Sequence, residues 1–139
     1  MNLIDEFWII NFHGVPLFKY PSDDDLDSHL IGAFFSAVQK FSSHLDSKTE
    51  QYINSLMLKK NAFHFLINQK YRLYFISKSS KKTKSKLINP HLKELAELFI
   101  DEFEEDIINF DGEITFFNRF LPIFEEYFEN KLNKLKSMW

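Results

Sequence analysis

The chain has 139 residues, of which 45% are hydrophobic and 27% charged, so it is long and apolar enough to fold as one globular domain. It contains no Cys, which excludes disulfides and thiolate metal sites, and its formal net charge of -3 gives no general attraction to nucleic acid. Only 3 Gly and 4 Pro are present, so most of the chain should be regular structure. No apolar run reaches transmembrane length, no signal-peptide pattern is seen, and we expect a cytoplasmic protein.

A β-hairpin is predicted at the start of the chain. Residues 3–12 favour a strand, and the apolar run at 8–10 indicates burial on both faces, as in the interior of a sheet. Gly14 suits the turn. The returning strand, residues 15–20, contains Pro16, which lacks an N–H group and therefore favours a sheet edge.

A helix is predicted over residues 26–45. Ser22 and Asp25 have the spacing of a capping box in front of it. The neighbouring carboxylates also suggest a calcium loop, but Ser28 stands in place of the required Gly and Phe34 in place of the bidentate Glu. Helix capping is therefore the preferred interpretation.

Three more strands follow, and the last two form the central hairpin. Residues 52–58 favour the first strand, and the aromatic stretch 61–76 favours two strands separated by a polar break at 68–70. Alternation along the stretch places two sets of side chains on opposite faces of the sheet. One set is Phe63, Phe65 and Ile67, and the other is Ala62, His64 and Leu66.

Residues 78–86 concentrate positive charge and have no apolar periodicity. The simpler interpretation is a solvated loop. The alternative is a loop that binds lipid headgroups or an acidic partner. The candidate anion- or lipid-binding residues are Lys78, Lys81, Lys82, Lys84 and Lys86.

Two helical segments are predicted at the C-terminal end. Asn89 and Pro90 are typical of a helix start, and residues 111–112 of its end. The last segment, residues 116–135, contains Pro122, which either kinks one helix or lies in the first turn of a second. We divide the single domain into a core, residues 1–112, and a C-terminal helical segment, residues 113–139.

No catalytic, cofactor-binding or metal-binding residue is predicted. The five histidines are scattered without metal-ligand spacing, and nucleophile and phosphate-binding motifs are missing. His64 is interpreted as a satisfied, half-buried residue. The sequence therefore predicts a protein that is not an enzyme and needs no cofactor.

The order β-β-α-β-β-β-α-α resembles that of a longin domain. Residues 7–18 (FWIINFHGVPLF) are similar to the opening hairpin of the family, and residues 63–66 with 71–76 to its central hairpin. The resemblance implies an α+β, profilin-like fold with a five-stranded antiparallel sheet in the order 2-1-5-4-3. It also implies helices on both faces of the sheet.

The resemblance also implies a function. Longin domains are non-enzymatic binding platforms in vesicle SNAREs, adaptor small chains, transport-particle subunits and exchange-factor complexes for small GTPases. No coiled coil follows the domain here, so we expect a stand-alone longin protein, not a SNARE. The prediction is a protein–protein interaction module that regulates a small GTPase or acts as a trafficking adaptor. The alternative is a small-ligand or lipid-sensing domain with a Phe-lined pocket.

The expected partners are proteins: a small GTPase, another longin or roadblock subunit, or a second copy in a homodimer. No nucleic acid is expected, and membrane contact is at most peripheral. Because the implied strand order leaves the third strand at an edge, that strand is the predicted partner surface. Its candidate residues are Ser55, Leu56, Met57 and Leu58.

Overall fold

The protein's structure is a computed structural model that describes residues 3–21, 51–58 and 61–132. The strands are β1 (Glu6–Asn11), β2 (Pro16–Tyr20), β3 (Gln51–Leu58), β4 (Asn61–Asn68) and β5 (Leu73–Ser80). They form an antiparallel sheet in the order β2-β1-β5-β4-β3, which is the order that the longin resemblance implies. The α+β class is confirmed. The helix predicted over residues 26–45 and the end of the last predicted segment lie outside the described residues.

β1 lies inside the sheet, between β2 and β5. Its apolar run is buried as predicted, with Trp8 3%, Ile9 0% and Ile10 1% exposed. β2 lies at the edge, where the missing N–H of Pro16 interrupts no ladder on the outer side. The position of both strands therefore follows from their sequences.

The turn from β1 to β2 is organised by Asn11. Its Oδ1 atom accepts hydrogen bonds from the backbone N–H groups of His13 and Val15, both at 2.9 Å. Gly14 has a φ of +87°, a left-handed conformation that glycine adopts without steric cost. The strand is shorter than the predicted range 3–12, because it begins only at Glu6 and ends at Asn11. At its end, the Asn11 side chain takes up backbone donors of the following turn.

The central hairpin is longer than predicted. β4 and β5 pair along their whole length, as far as Asn68 opposite Leu73, and residues 69–72 form the loop. The predicted break at 68–70 therefore begins one residue too early and ends two residues too early. Asn68 is still part of the strand, and its Oδ1 atom accepts the N–H of Tyr71 at 2.9 Å, which closes the loop.

Helix α1 (Ser85–Ile108) packs on one face of the sheet, against β4 and β5. The predicted start at Asn89 is wrong, because the helix begins one turn earlier and includes Pro90. The extra turn buries Ile88, which is 0% exposed, in line with the rest of the apolar stripe. The buried residues of the stripe are Ile88, Leu92, Leu95, Ala96, Phe99 and Phe103.

The backbone of α1 is interrupted at Phe103, whose φ of -121° and ψ of 20° are not helical. The interruption coincides with aromatic packing, since the Phe103 ring lies 5.4 Å from that of Phe117. One last turn follows it. The helix then ends at Ile108, slightly before the predicted stop, and Gly112 has a left-handed φ of +102°.

The C-terminal segment, as far as it is described, contains three short helical pieces. A 3-10 turn (Thr115–Arg119) leads into α2 (Phe120–Tyr127), and a π-helical turn (Phe128–Leu132) follows. Pro122 lies in the first turn of α2, which decides between the two predicted positions. The segment is part of the main core, because Phe117, Phe120 and Phe124 are all 0% exposed.

Two apolar clusters lie on opposite faces of the sheet. The larger cluster combines β1, β2, β4 and β5 with α1 and α2 and includes Leu66. The smaller cluster contains Trp8, Phe65 and Tyr74, with Phe63 packed against it. The predicted alternation along β4 is therefore confirmed.

Candidate functional site

The predicted partner-binding strand, β3, is the last strand of the sheet order. Ser55, Leu56, Met57 and Leu58 all belong to it. Ser55 is exposed, and Met57 is 49% exposed, which is a large apolar side chain beside a sheet edge. A terminal strand of this kind is suited to pairing with another chain. The pairing itself stays a prediction.

The lysine-rich segment is a tight turn, shorter than the loop predicted over residues 78–86. β5 extends to Ser80 and α1 begins at Ser85, so the connection contains only residues 81–84. Lys78 is separated from the others, because it lies in β5 and forms an ion pair with Glu6 at 3.5 Å. The remaining candidates lie close together in sequence and are exposed: Lys81, Lys82, Lys84 and Lys86.

Beneath the first turn of α1 lies a group of polar residues, which we call the polar corner: His64, Ser77, Ser79, Ser85 and Asn89. His64 and Ser77 are opposite each other in β4 and β5, and His64 is 2% and Ser77 and Ser79 are 0% exposed. The Nε2 atom of His64 lies 3.1 Å from the Ser85 hydroxyl. Burial lowers the pKa of His64, so its ring is neutral at pH 7.

Three buried atoms of the polar corner lack a hydrogen-bond partner within the described residues: Nδ1 of His64, Oγ of Ser79 and Oδ1 of Asn89. A buried polar atom without a partner costs about 1–3 kcal/mol. The interpretation of His64 as half-buried and satisfied is therefore wrong on both counts. The residue is fully buried, and only one of its ring nitrogens is bonded.

A second polar contact joins α1 to α2. The Nδ1 atom of His91 lies 2.7 Å from the Tyr127 hydroxyl, and burial lowers the pKa of His91. Burial raises the pKa of Tyr127, and the neighbouring Glu94 side chain raises it further. The Tyr127 hydroxyl donates to Nδ1 in one His91 tautomer and accepts from an Nδ1–H group in the other, and either bond ties α1 to α2.

A cleft of about 350 Å³, which the sequence did not predict, opens at one end of the sheet. We call it the loop cleft, because the β1–β2 and β4–β5 loops meet there. They meet because β1 and β5 are neighbours, with Asn11 opposite Leu73, and the N–H of Phe12 donates to the Arg72 carbonyl at 3.1 Å. The third side is the end of α1. The strand order 2-1-5-4-3 makes the first and fifth strands neighbours, so the proximity of these two loops could have been predicted from it.

The loop cleft combines apolar walls with a basic rim. Its large apolar side chains include Phe12, Ile107, Ile108 and Phe110. The basic residues His13, Lys70 and Arg72 are exposed at its loop side. Such a mixture of apolar surface and a few charged groups is typical of binding sites.

Arg72 occupies an unusual backbone conformation, with a φ of 56°. Left-handed backbone costs a residue with a Cβ atom roughly 1–2 kcal/mol, and glycine avoids that cost. Arg72 also lines a second cavity of about 350 Å³, together with Phe12, Ile67 and Gln69. Arg72 therefore occupies a position where the backbone conformation favours glycine or asparagine.

Among the residues that the structure describes, no group of three or more His, Asp or Glu side chains could hold a metal ion. None of the helices within those residues is long and apolar enough to cross a membrane. The described surface offers three features suited to binding: the edge strand β3, the exposed lysines, and the loop cleft with its apolar walls and basic rim.

No family model and no curated protein matches this sequence. Solved structures that are similar to the chain in fold include the following two. Myxococcus xanthus MglB has a TM-score of 0.58 at 11% identity, over 73% of this chain and 85% of that one. The mammalian SRP receptor structure has a TM-score of 0.58 at 14% identity, over 93% of this chain and 94% of that one. These likenesses support a longin-like fold.

Proposed function

We propose that the chain is a non-enzymatic protein–protein interaction module of longin type, which regulates a small GTPase or acts as an adaptor in membrane trafficking. The observation that carries this proposal is the terminal position of β3 in a longin-like sheet. Longin domains, which this chain resembles, serve as binding platforms. A strand at a sheet edge offers main-chain groups to a partner. The partner is another longin or roadblock subunit, a second copy of the chain, or the GTPase itself.

The packing of the phenylalanines favours this function over lipid sensing. The ring of Phe99 lies 5.0 Å from Phe103, 5.5 Å from Phe117 and 5.1 Å from Phe120. All four side chains are 0% exposed. Rings in such contact are packed against one another, so these four do not line a pocket for an acyl chain.

The test is to place a charge on β3. Met57→Lys adds a charge that a pairing strand would have to bury, whereas the half-exposed side chain leaves the fold intact. Leu87→Lys is the matched control, since Leu87 is 46% and Met57 49% exposed. Wild type and control should capture the same proteins from the native lysate, and Met57→Lys should lose them.

Sedimentation velocity of the same three proteins separates self-pairing from pairing with another protein. A homodimer that Met57→Lys turns into a monomer identifies a second copy as the partner. If all three proteins capture the same set and sediment alike, pairing through β3 is wrong. Melting temperatures close to that of the wild type ensure that the variants are folded.

A further inference from the structure

We propose that the loop cleft binds a short acidic segment of a partner protein, with one large apolar side chain of the segment inserted between the loops and the end of α1. The proposal rests on the proposed function, because the partner is a protein. It adds a binding surface built from residues other than those of β3.

The apolar part of the segment is inferred from the wall formed by the end of α1. Ile108 is 66% exposed, the highest value among the exposed large hydrophobic residues of the described chain. Ile107 and Phe110 are half-buried beside it, and all three line the cleft. Adjacent apolar groups at the surface mark interaction sites. A volume of about 350 Å³ accommodates a single leucine-sized or aromatic side chain with its neighbouring backbone.

The acidic part of the segment is inferred from the rim. His13, Lys70 and Arg72 come from two different loops and are brought to one side of the cleft by the β1–β5 pairing. None of the three forms an ion pair with any residue in the described ranges 3–21, 51–58 and 61–132. A guanidinium group binds a carboxylate through two parallel hydrogen bonds, so Arg72 is the residue best suited to recognise an Asp or Glu of the segment.

The backbone of Arg72 supplies an independent argument. A left-handed residue that is neither glycine nor asparagine is a source of local strain, and such strain is concentrated at functional sites. The loop requires a left-handed backbone at this position, but it does not require an arginine side chain there. An arginine at this position therefore carries a cost to stability, as expected of a residue that contacts a ligand.

The charges around the cleft also fix the direction of the segment. The Glu104 carboxylate, on the α1 side, accepts a 2.7 Å hydrogen bond from the Tyr71 hydroxyl. The C-terminal end of α1 adds partial negative charge on that side. The acidic groups of the segment therefore face the loops, and its apolar side chain faces α1.

The test uses peptide selection on the full chain. A phage-displayed library of random dodecapeptides is selected on the wild type, with counter-selection on Arg72→Gly. Enriched peptides should carry Asp or Glu next to Leu, Ile, Phe or Trp. The best of them, labelled with fluorescein, should bind Arg72→Gly about tenfold or more weakly, and binding should weaken with salt.

The choice of Arg72→Gly separates binding from folding. Glycine removes the side chain and relieves the left-handed backbone, so the melting temperature should be no lower than that of the wild type. Arg72→Asn, whose side chain tolerates the same conformation, should behave in the same way. Lys93→Gly would weaken its helix, so Lys93→Ala is the matched control for loss of an exposed cation, and it should bind the peptide like the wild type.

Three results would overturn the proposal: no peptide is selected, the selected peptides have no acidic bias, or Arg72→Gly binds them as tightly as the wild type. Its failure is distinguishable from that of the proposed function. If Met57→Lys abolishes capture of a partner while no peptide binds the cleft, the interaction module stands and only the cleft assignment falls.

Discussion

Two regions on the same face of the sheet are built in opposite ways. The aromatic cluster is a set of stacked and tilted rings between the sheet, α1 and α2. Its members are Phe7, Phe18, Phe75, Phe99, Phe103, Phe117, Phe120 and Phe124. The polar corner lies under the start of the same helix and is equally buried, but His64 and Ser79 each leave an atom there without a partner in the described chain.

The comparison shows that equal burial does not mean equal stabilisation. A buried ring contributes in proportion to the apolar area removed from water, whatever its exact orientation. A buried hydroxyl or imidazole contributes only if its hydrogen bonds are made, and otherwise opposes folding. The aromatic cluster should therefore supply most of the stability of the domain. The polar corner should make the stability of the domain depend on pH, because it contains His64.

The largest effect is expected in the aromatic cluster. Phe99→Ala should lower the free energy of unfolding by about 3–5 kcal/mol, because it leaves a cavity among four neighbouring rings. Urea denaturation measures the loss. Ile108→Ala is the control, since its side chain is 66% exposed, and it should change stability by less than about 0.5 kcal/mol. Equal losses for the two variants would contradict the assigned core.

An intermediate effect is expected in the polar corner as the pH falls. Burial lowers the pKa of His64 in the folded state, so the unfolded chain, with a pKa near 6.5, binds the proton more readily. The stability is therefore complete above that value and is lost as the pH falls below it, by at most about 1.4 kcal/mol per pH unit for one proton. His91 contributes in the same direction.

Urea midpoints at about pH 8 and about pH 5.5 measure this dependence, in the range where histidine titrates. His64→Gln keeps a polar side chain but cannot be protonated, so its midpoint should fall less than that of the wild type. The shared contribution of the carboxylates cancels in the comparison. If both proteins lose the same stability, the pKa of His64 is the same in the folded and unfolded states, and its ring is reached by water.

The smallest effect is expected in the turn above the polar corner. Replacing Lys81, Lys82 and Lys84 with Ser should change stability by less than about 0.5 kcal/mol, because exposed charges contribute little. Co-sedimentation with liposomes that contain anionic lipid should show no binding for either protein. Binding that the three substitutions remove would instead support a lipid-binding turn, since each lysine near such a surface adds about 1 kcal/mol.

The sequence predicts what depends on periodic apolar residues. The inner position of β1 follows from the run at 8–10, and the stripe of α1 from Leu92 to Phe103 follows from helical spacing. The start of α1 was missed because the polar residues before Pro90 conceal one buried residue, Ile88. Periodicity carries no information about a helical turn with a single apolar contact.

The candidate sites likewise divide into one that the sequence could predict and one that it could not. The edge position of β3 could be predicted, because it depends only on strand order. The loop cleft could not be found from spacing, because it depends on two loops that are far apart in sequence and on a helix end. The conformation of Arg72 was also missed, since its left-handed φ follows from loop length and not from residue type.

The pairing of β1 with β5 has a consequence for how the chain acquires its fold. Phe7 is opposite Ser77, so about half of the chain separates two partners at the centre of the sheet. The hairpins β1–β2 and β4–β5 are local and can form early, but joining them closes a long loop before any of its contacts are gained. During synthesis on the ribosome, β1 must therefore wait for β5 to emerge, and its apolar run stays exposed to other chains in the meantime.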